Sequence, residues 1–402
     1  MTTVAIIAEY NPFHTGHSYH IQKIKEEFGS DTTIIAIMSG NFTQRGDVAF
    51  TDKLTRATCA VMCGVNLVLE LPFPYSCASA DIFARGGVTI AQKLGNVDYL
   101  SFGSESGCAE ELMYVADITL SQNYCDKLGM LLNDTSYGYA KCCQLAYEAC
   151  SDNYKNFSFS PNNILAIEYI KAIKKLNSNL KIHTVKREGA DYNSDTINHR
   201  EYHQSASAIR KVFCDNTDFA LEFIPMQCRD LLKRAYEEGA LPCSSELISS
   251  AILSHYRLSS GTVCESIHDA GAGLYNRLIN ASFEADSISS LLSLTETKKY
   301  TNARIRRAMW YGFLGVTSSD VETMPLFTQV LAMDKIGSGE LKAIRKTKAI
   351  SVLTKPSNYD GFEGVPLRQK ILSEKADSIF ELTRPTKRHG NSALMLTPFV
   401  KK

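Results

Sequence analysis

Two histidines three residues apart follow the first apolar run of the chain. His14 and His17 come after the run 4–8 and open the segment 18–28, whose apolar residues have helical spacing. The free backbone N–H groups and the dipole at a helix start favour negative charge. Two imidazoles at such a place can face one anion, and Gly16 between them lets the backbone approach it closely. The pattern predicts a site for nucleotide phosphates.

A second group of anion donors opens another predicted helix. Ser205, Ser207 and Arg210 together offer hydroxyl, backbone N–H and guanidinium donors to one phosphate group. An ordinary serine N-cap followed by surface charge is the alternative interpretation. The histidine pair in the same chain favours the anion site, because a bound triphosphate has two ends.

Three further residues stand where strands or helices are predicted to end or begin. Gly103 is either a strand-end glycine or the point where a nucleoside approaches the backbone. Arg187 lies in a polar loop and either holds nucleotide or occupies a solvated turn. Asn162 follows Pro161 at a helix start, where it either caps the helix or faces the site.

These residues need a scaffold, and the first hundred residues supply its pattern. Short apolar strands at 4–8, 32–38, 66–71 and 98–102 alternate with helical segments. This alternation predicts an α/β fold with a doubly wound, Rossmann-like parallel sheet. Ligands bind beyond the carboxyl ends of the strands in such sheets, and His14, His17 and Gly103 all follow strand ends.

The rest of the chain has a different, mainly helical pattern. We expect a nucleotide-binding domain at 1–215 and a mainly helical C-terminal region at 216–402. The histidine segment resembles that of the nucleotidylyltransferase superfamily, which implies an ATP-binding catalytic role for the first domain. Within the C-terminal region, 328–353 has the pattern of one small strand-helix-strand unit.

Composition limits the class of protein. Hydrophobic residues make up 44% of the 402-residue chain and charged residues 21%, which is typical of a globular fold. No apolar run reaches membrane-spanning length and no basic leader precedes the first strand, so we expect a cytoplasmic protein without membrane contact. The 12 cysteines form no paired CxxC set, and no protein metal site is predicted.

Charge is balanced over the chain but unevenly distributed. Residues 297–402 carry 19 Lys and Arg against nine Asp and Glu, although the totals are 43 and 43. This excess indicates a polyanionic partner. A basic patch suited to RNA phosphates, with a solvated helix face as the alternative, is formed by Lys298, Lys299, Arg304, Arg306 and Arg307.

Taken together, these motifs resemble the bacterial tRNA(Met) cytidine acetate ligase family, within the nucleotidylyltransferase superfamily. The likeness rests on the segments 7–17, 38–46, 101–105, 161–166 and 205–210, with weaker matches at 297–301 and 304–307. It extends over most of the chain and is densest in the first 215 residues.

The resemblance implies a two-step enzyme. Acetate and ATP would give acetyl-adenylate and pyrophosphate, and the acetyl group would then pass to the wobble cytidine of elongator tRNA(Met), giving N4-acetylcytidine. His14 and His17 would be the catalytic electrostatic groups, and Mg²⁺ would be carried by the phosphates. The resemblance places ATP against Ile7, Ala8, Glu9, Tyr10, Asn11, Pro12, Phe13, His14, Thr15, Gly16, His17, Ser18, Tyr19, His20, Gly103, Asn162, Arg187 and Glu188.

Two other functions share some of these features. An adenylyltransferase that joins AMP to a small phosphorylated cofactor precursor would also use the histidine pair, but it seldom needs a long basic appendage. A noncatalytic RNA-binding protein could keep a nucleotide as a structural ligand, and the intact histidines and Arg210 count against it. The sequence does not indicate an oligomeric state.

Overall fold

One mainly parallel sheet organises the chain. The structure is a computed structural model that describes residues 2–133, 137–187, 204–259, 266–297, 299–355, 361–395 and 397–402. Its strands are β1 (Thr3–Ala8), β2 (Thr33–Ser39), β3 (Leu67–Leu71), β4 (Tyr99–Ser104), β5 (Lys181–Lys186), β6 (Phe327–Met333), β7 (Ser351–Leu353) and β8 (Phe399–Val400). The order across the sheet is β5-β4-β1-β2-β3-β6-β7, with β8 beside β6.

Helices cover the sheet and fill the C-terminal region. They are α1 (Thr15–Phe28), α2 (Lys53–Met62), α3 (Ala80–Leu94), α4 (Ala109–Leu120), α5 (Gln122–Asn133), α6 (Tyr139–Glu148), α7 (Pro161–Lys175), α8 (Ala206–Asp215), α9 (Thr217–Leu221), α10 (Met226–Glu237), α11 (Ser249–Leu258), α12 (Leu274–Glu284), α13 (Ile288–Thr295), α14 (Asn302–Leu314), α15 (Ser318–Glu322), α16 (Lys335–Thr347) and α17 (Gly364–Phe380). The predicted α/β fold is confirmed.

The register of the parallel strands brings their carboxyl ends together. Ala8 at the end of β1 lies opposite Met38 of β2, and Gly103 near the end of β4 lies opposite Val185 of β5. All seven residues of β2 are buried, as expected for a strand covered on both faces. Loops that follow these strands therefore share one edge of the sheet.

The apolar stripe of α1 fixes this helix on the sheet. Ile21 and Ile24 are buried, while Phe28 is half-buried with its ring 4.6 Å from that of Tyr99. The stripe holds the start of α1, and with it His14, at the carboxyl edge of β1.

The predicted strand-helix-strand unit is confirmed as β6, α16 and β7. Its strand β6 pairs antiparallel with β3 and so extends the sheet that begins with β1. Both large apolar cores contain residues from before and after residue 215. The boundary at residue 215 remains a prediction, and the two parts share a sheet and their cores.

Candidate functional site

A cavity of about 580 Å³ opens beyond the carboxyl ends of β1, β2, β4 and β5. It is lined by fifteen of the residues predicted to bind nucleotide: Ile7, Ala8, Glu9, Tyr10, Asn11, His14, Gly16, His17, Tyr19, His20, Gly103, Asn162, Arg187, Ser207 and Arg210. Pro12, Phe13, Thr15, Ser18 and Ser205 lie outside its lining. Glu188 is outside the described residues. Contact with ATP remains a prediction for each of them.

The helix start holds both histidine rings by the same ring atom. His14 is the N-cap of α1, and its Nδ1 accepts a hydrogen bond from the Gly16 N–H at 3.1 Å. The Nδ1 atom of His17 accepts from the His14 N–H, also at 3.1 Å. An imidazole nitrogen that accepts carries no proton, so in each neutral ring the proton is on Nε2. Both rings therefore offer an Nε2–H donor.

The two rings form a tight pair. Their centroids are 3.8 Å apart. Burial, with the neighbouring His14, Arg187 and His20, holds the pKa of His17 well below its usual value. His17 is thus neutral at pH 7, and toward an anion it could act only as a hydrogen-bond donor.

Arg210 connects α8 to the loop that precedes α1. Its Nη1 donates to the Asn11 carbonyl at 2.6 Å and its Nη2 to the Ser207 hydroxyl at 3.0 Å. Ser205 is the N-cap of α8, with its hydroxyl accepting from the Ala208 N–H at 3.0 Å. The predicted second anion site thus keeps Ser207 and Arg210 on the cavity wall, while Ser205 holds the helix start.

The ends of β4 and β5 build the opposite wall. A Cβ at Gly103 would lie 3.3 Å from Cγ of Arg187, so a side chain there would crowd the arginine. Asn162 donates from Nδ2 to the Glu105 carboxylate at 2.6 Å. Ser160 is the N-cap of α7, whereas Asn162 lines the cavity, and Glu105 supports it as a residue that the sequence did not indicate.

Comparisons with known proteins identify the family. A family model described as HIGH Nucleotidyl Transferase matches residues 1–393. A tRNA(Met) cytidine acetate ligase from Thermoanaerobacter sp. (strain X514) is 35% identical, with 89% of this chain and 90% of the relative aligned. A relative of the same name from Clostridium perfringens is 33% identical over 100% of both chains. The chain belongs to the tRNA(Met) cytidine acetate ligase family.

Solved structures of the same family match the fold. Thermotoga maritima TmcAL, in its apo form I, superposes with a TM-score of 0.90 at 28% identity, covering 100% of this chain and 99% of that one. The form bound with alpha-thio ATP gives a TM-score of 0.87 at 28% identity, with 100% of both chains covered.

The loop after β2 also lines the cavity, with residues that were not among the predicted site residues: Thr43, Gln44, Arg45, Asp47 and Val48. The Glu9 carboxylate accepts from the Gln44 N–H at 2.7 Å, and burial raises the pKa of Glu9 although that bond and nearby arginines oppose the rise. The loop is fixed by Trp310, whose Nε1 donates to the Gly46 carbonyl at 2.9 Å. Gly46 has φ +81°, and a Cβ there would meet Arg306 at 2.7 Å.

Further lining residues come from the C-terminal region, where no local motif marks them. They are Cys243, Ser244, Ser245, Glu246 and Ser289, and they lie in the lining with Arg306 of the predicted basic patch. Ser289 lies on α13 and the other four residues precede α11, so only the tertiary packing of these segments over the sheet edge brings them to the cavity.

The basic patch predicted to bind tRNA is partly committed to internal contacts. Arg307 is buried and pairs through Nε with the Asp269 carboxylate at 2.7 Å. Arg304 donates to the Asp269 carbonyl at 3.0 Å, and Arg306 pairs with Asp47. Lys299 is exposed. Lys298 lies outside the described residues. Binding of tRNA by these side chains remains a prediction.

The described residues show neither a metal cluster nor a membrane-spanning helix. They contain no group of three or more His, Cys, Asp or Glu that could hold a metal ion. Across the same parts of the chain, no helix combines the length and apolarity needed to cross a bilayer.

We expect acid to destabilise the protein through His20. Burial, with His183 and Arg187 nearby, lowers the pKa of His20 to about 3. The unfolded chain binds this proton near pH 6.5, so stability is lost as the pH falls from there toward 3. The free energy of unfolding, measured with urea, should fall between pH 7 and pH 5 by about 2 kcal/mol less in His20→Asn than in the wild type. An equal difference in both proteins would contradict this assignment.

Proposed function

We propose that this chain activates acetate with ATP and acetylates the wobble cytidine of elongator tRNA(Met), forming N4-acetylcytidine. The observation that carries the proposal is the pair of Nε2–H donors that His14 and His17 present at the start of α1. Family membership supports the same reaction, because the relatives are named tRNA(Met) cytidine acetate ligases and the similar Thermotoga maritima TmcAL binds alpha-thio ATP.

The first step makes acetyl-adenylate. An acetate oxygen attacks the α-phosphorus of ATP, and the bond to the β-phosphate oxygen breaks so that pyrophosphate leaves. Negative charge grows on the phosphate oxygens in the transition state, where the donors of His14, His17 and Arg210 stabilise it. The reaction then needs no covalent bond to the protein.

The second step uses the mixed anhydride. The exocyclic amine of cytosine attacks the acetyl carbonyl carbon, AMP leaves, and the amine loses one proton. Holding the base against the adenylate raises the rate by proximity. The cavity is lined from both the N-terminal sheet and the C-terminal helices, so it offers walls for a nucleotide and for an incoming base.

We infer that Mg²⁺ is held by the phosphates of ATP. The carboxylates that line the cavity are already engaged: Glu9 accepts from the Gln44 N–H, Asp47 pairs with Arg306, and Glu246 accepts from the Ser289 N–H at the start of α13. Phosphate oxygens are the usual magnesium ligands in nucleotide sites that lack a protein cage.

The deciding experiment supplies purified protein with ATP, magnesium, labelled acetate and total bacterial tRNA. We expect labelled N4-acetylcytidine confined to one tRNA, with pyrophosphate release that requires acetate. Salt-sensitive tRNA binding without acetate-dependent pyrophosphate would instead support a noncatalytic RNA-binding protein. Transfer of AMP to a small phosphorylated acceptor would support the adenylyltransferase alternative.

Replacing Arg210 should weaken the first step specifically. Arg210→Gln removes a charged donor from the phosphate region, and we expect kcat/KM for ATP to fall about 100-fold. Arg210→Lys keeps the charge but loses the two-pronged contact to Asn11 and Ser207, so it should recover only part of the rate. The matched control is Lys211→Gln on the exposed face of α8. Acetate-dependent pyrophosphate release measures all three, and an equal loss in the control would contradict the assignment.

A further inference from the structure

Four side chains form one hydrogen-bonded chain from the cavity to the protein surface. Nε2 of His20 lies 2.7 Å from Oγ of Ser101, and this oxygen lies 2.8 Å from Nδ1 of His183. Nε2 of His183 is 3.0 Å from the Glu27 carboxylate. Ser101 is fully buried and His183 is 6% exposed, whereas the side chain of Glu27 is 60% exposed. We call these residues the His20 relay.

When both imidazoles are neutral, the carboxylate at the outer end sets the direction of every bond in the relay. Glu27 accepts, so the proton of neutral His183 is on Nε2 and its Nδ1 accepts from the Ser101 hydroxyl. Ser101 has then donated its single proton and must accept from His20. The proton of His20 is therefore on Nε2, and its Nδ1 carries a lone pair. Among the residues that the structure describes, Nδ1 of His20 has no hydrogen-bond partner.

His20 thus leaves a different ring nitrogen for a ligand than the two histidines before it. His14 and His17 use Nδ1 inside the protein and offer Nε2–H, whereas His20 uses Nε2–H inside the protein and offers Nδ1. A donor suits a phosphate oxygen, but an acceptor requires a ligand that carries O–H or N–H. All three rings line the same cavity.

The position of His20 indicates which part of a nucleotide it meets. It lies one helical turn beyond His17, on the same face of α1 and farther from the phosphate-binding helix start. Its partner Ser101 is two residues before Gly103 on β4, so both point to the same face of the sheet. His20 is thus on the helix that begins with the predicted phosphate donors, and Ser101 links it to the strand that carries Gly103. If the nucleoside approaches Gly103 as predicted, the sugar is the part of the nucleotide that His20 meets.

We propose that Glu27, His183 and Ser101 hold His20 in the Nε2–H tautomer, so that its Nδ1 accepts a hydrogen bond from a ribose hydroxyl of ATP. This inference rests on the proposed function for the identity of the nucleotide. His20 is the contact residue, and Ser101, His183 and Glu27 are positioning residues. The relay makes the enzyme selective for ribonucleotides over deoxyribonucleotides.

Nucleotide binding, measured by titration calorimetry without tRNA, provides the first test. Wild-type protein should bind one of the two analogues, 2′-deoxy-ATP or 3′-deoxy-ATP, about 10-fold more weakly than ATP, because that analogue lacks the hydroxyl that makes the hydrogen bond. His20→Gln reaches Ser101 with its amide but has no acceptor at the Nδ1 position, so it should bind ATP and that deoxy analogue equally. His20→Asn places an amide oxygen near the Nδ1 position and should keep part of the preference. A wild-type preference that persists unchanged in His20→Gln overturns the proposal.

The remote end of the relay gives a test that does not touch the cavity. Glu27→Gln can donate as well as accept, so it removes the fixed direction and should reduce the ribose preference. The matched control is Glu26→Gln, because Glu26 is a neighbouring exposed acid that contacts Lys23 and lies outside the relay. Nitrogen-15 NMR of labelled histidine should show the Nε2–H tautomer of His20 in the wild type and a mixture in Glu27→Gln. The Nδ1–H tautomer in the wild type would overturn the proposal.

These readouts separate the two proposals. If the wild type shows the ribose preference and the expected tautomer but releases no acetate-dependent pyrophosphate, the acetate ligase assignment fails and the role of His20 stands. If pyrophosphate release is normal and the ribose preference is absent, the role of His20 fails alone.

Discussion

His17→Ala should lower the rate of acetate-dependent pyrophosphate release by about 10²–10³-fold, the usual effect of deleting one donor to a charged transition state. The neutral ring of His17 donates from Nε2, while its Nδ1 is used by the His14 N–H at 3.1 Å. The substitution removes both functions at once. A loss of rate alone therefore does not distinguish catalysis from a disturbed helix start.

Two further variants of His17 separate the functions. His17→Asn places an amide oxygen near the Nδ1 position, so it can still accept from the His14 N–H and hold the start of α1, but it lacks the outer donor. His17→Gln reaches the Nε2 position with an amide that donates. We expect His17→Asn to be as inactive as His17→Ala while unfolding at nearly the wild-type temperature, and His17→Gln to recover measurable rate. The mechanism would be wrong if His17→Asn were fully active.

Binding of tRNA provides the internal control for this series. In the proposed mechanism His17 contacts the nucleotide and not the tRNA, so we expect affinity for tRNA to change less than twofold in all three variants. A parallel loss of tRNA affinity would mean that the substitutions unfold the site.

The sequence predicted the parts of this site that depend on neighbours in the chain. Apolar runs followed by helical spacing located β1 to β4, and the histidine spacing located a helix start whose backbone N–H groups both rings use. Asn162 shows the limit of such reasoning. A helix-start asparagine predicts either a cap or a site contact, and only the position of Glu105 on a neighbouring loop decides between them.

Contacts between distant segments left no local signal. The pairing of β3 with β6 joins residues more than 250 positions apart, and so does the bond from Trp310 to Gly46 that fixes the loop after β2. One clue was present in β3 itself. Glu70 interrupts an otherwise apolar buried strand, and a buried carboxylate requires a partner.

The partner of Glu70 is the buried side chain of Lys53. Nζ of Lys53 lies 2.8 Å from both carboxylate oxygens of Glu70 and 2.6 Å from Asp377 on α17. The side chains of Lys53 and Glu70 are each 3% exposed. Burial raises the pKa of Glu70 to about 7, although Lys53 opposes the rise, whereas the two acids raise the pKa of Lys53 against the effect of burial. The ammonium group is what allows two acids to lie together inside the protein.

Lys53→Met should therefore cost about 3–5 kcal/mol of stability, because it leaves buried carboxylates without their counter-ion. Urea unfolding at pH 7 measures the loss. The double variant Lys53→Met with Glu70→Gln removes one of the stranded charges and should recover much of it. The control Lys23→Met removes one partner of an exposed pair and should change stability by less than about 1 kcal/mol.

The same variant tests how the last helix is connected to the nucleotide site. Asp377 also accepts from Nδ2 of Asn41 at 2.8 Å, and Oδ1 of Asn41 accepts from the Lys53 N–H at 2.8 Å. Asn41 lies just beyond the end of β2, at the edge that forms the cavity, so the cluster joins α17 to the site across 336 residues. If 216–402 folded independently of 1–215, Lys53→Met would shift one of two unfolding transitions. Because the cluster, the sheet and both cores cross that boundary, we expect one cooperative transition that shifts as a whole, with weaker ATP binding in the variant.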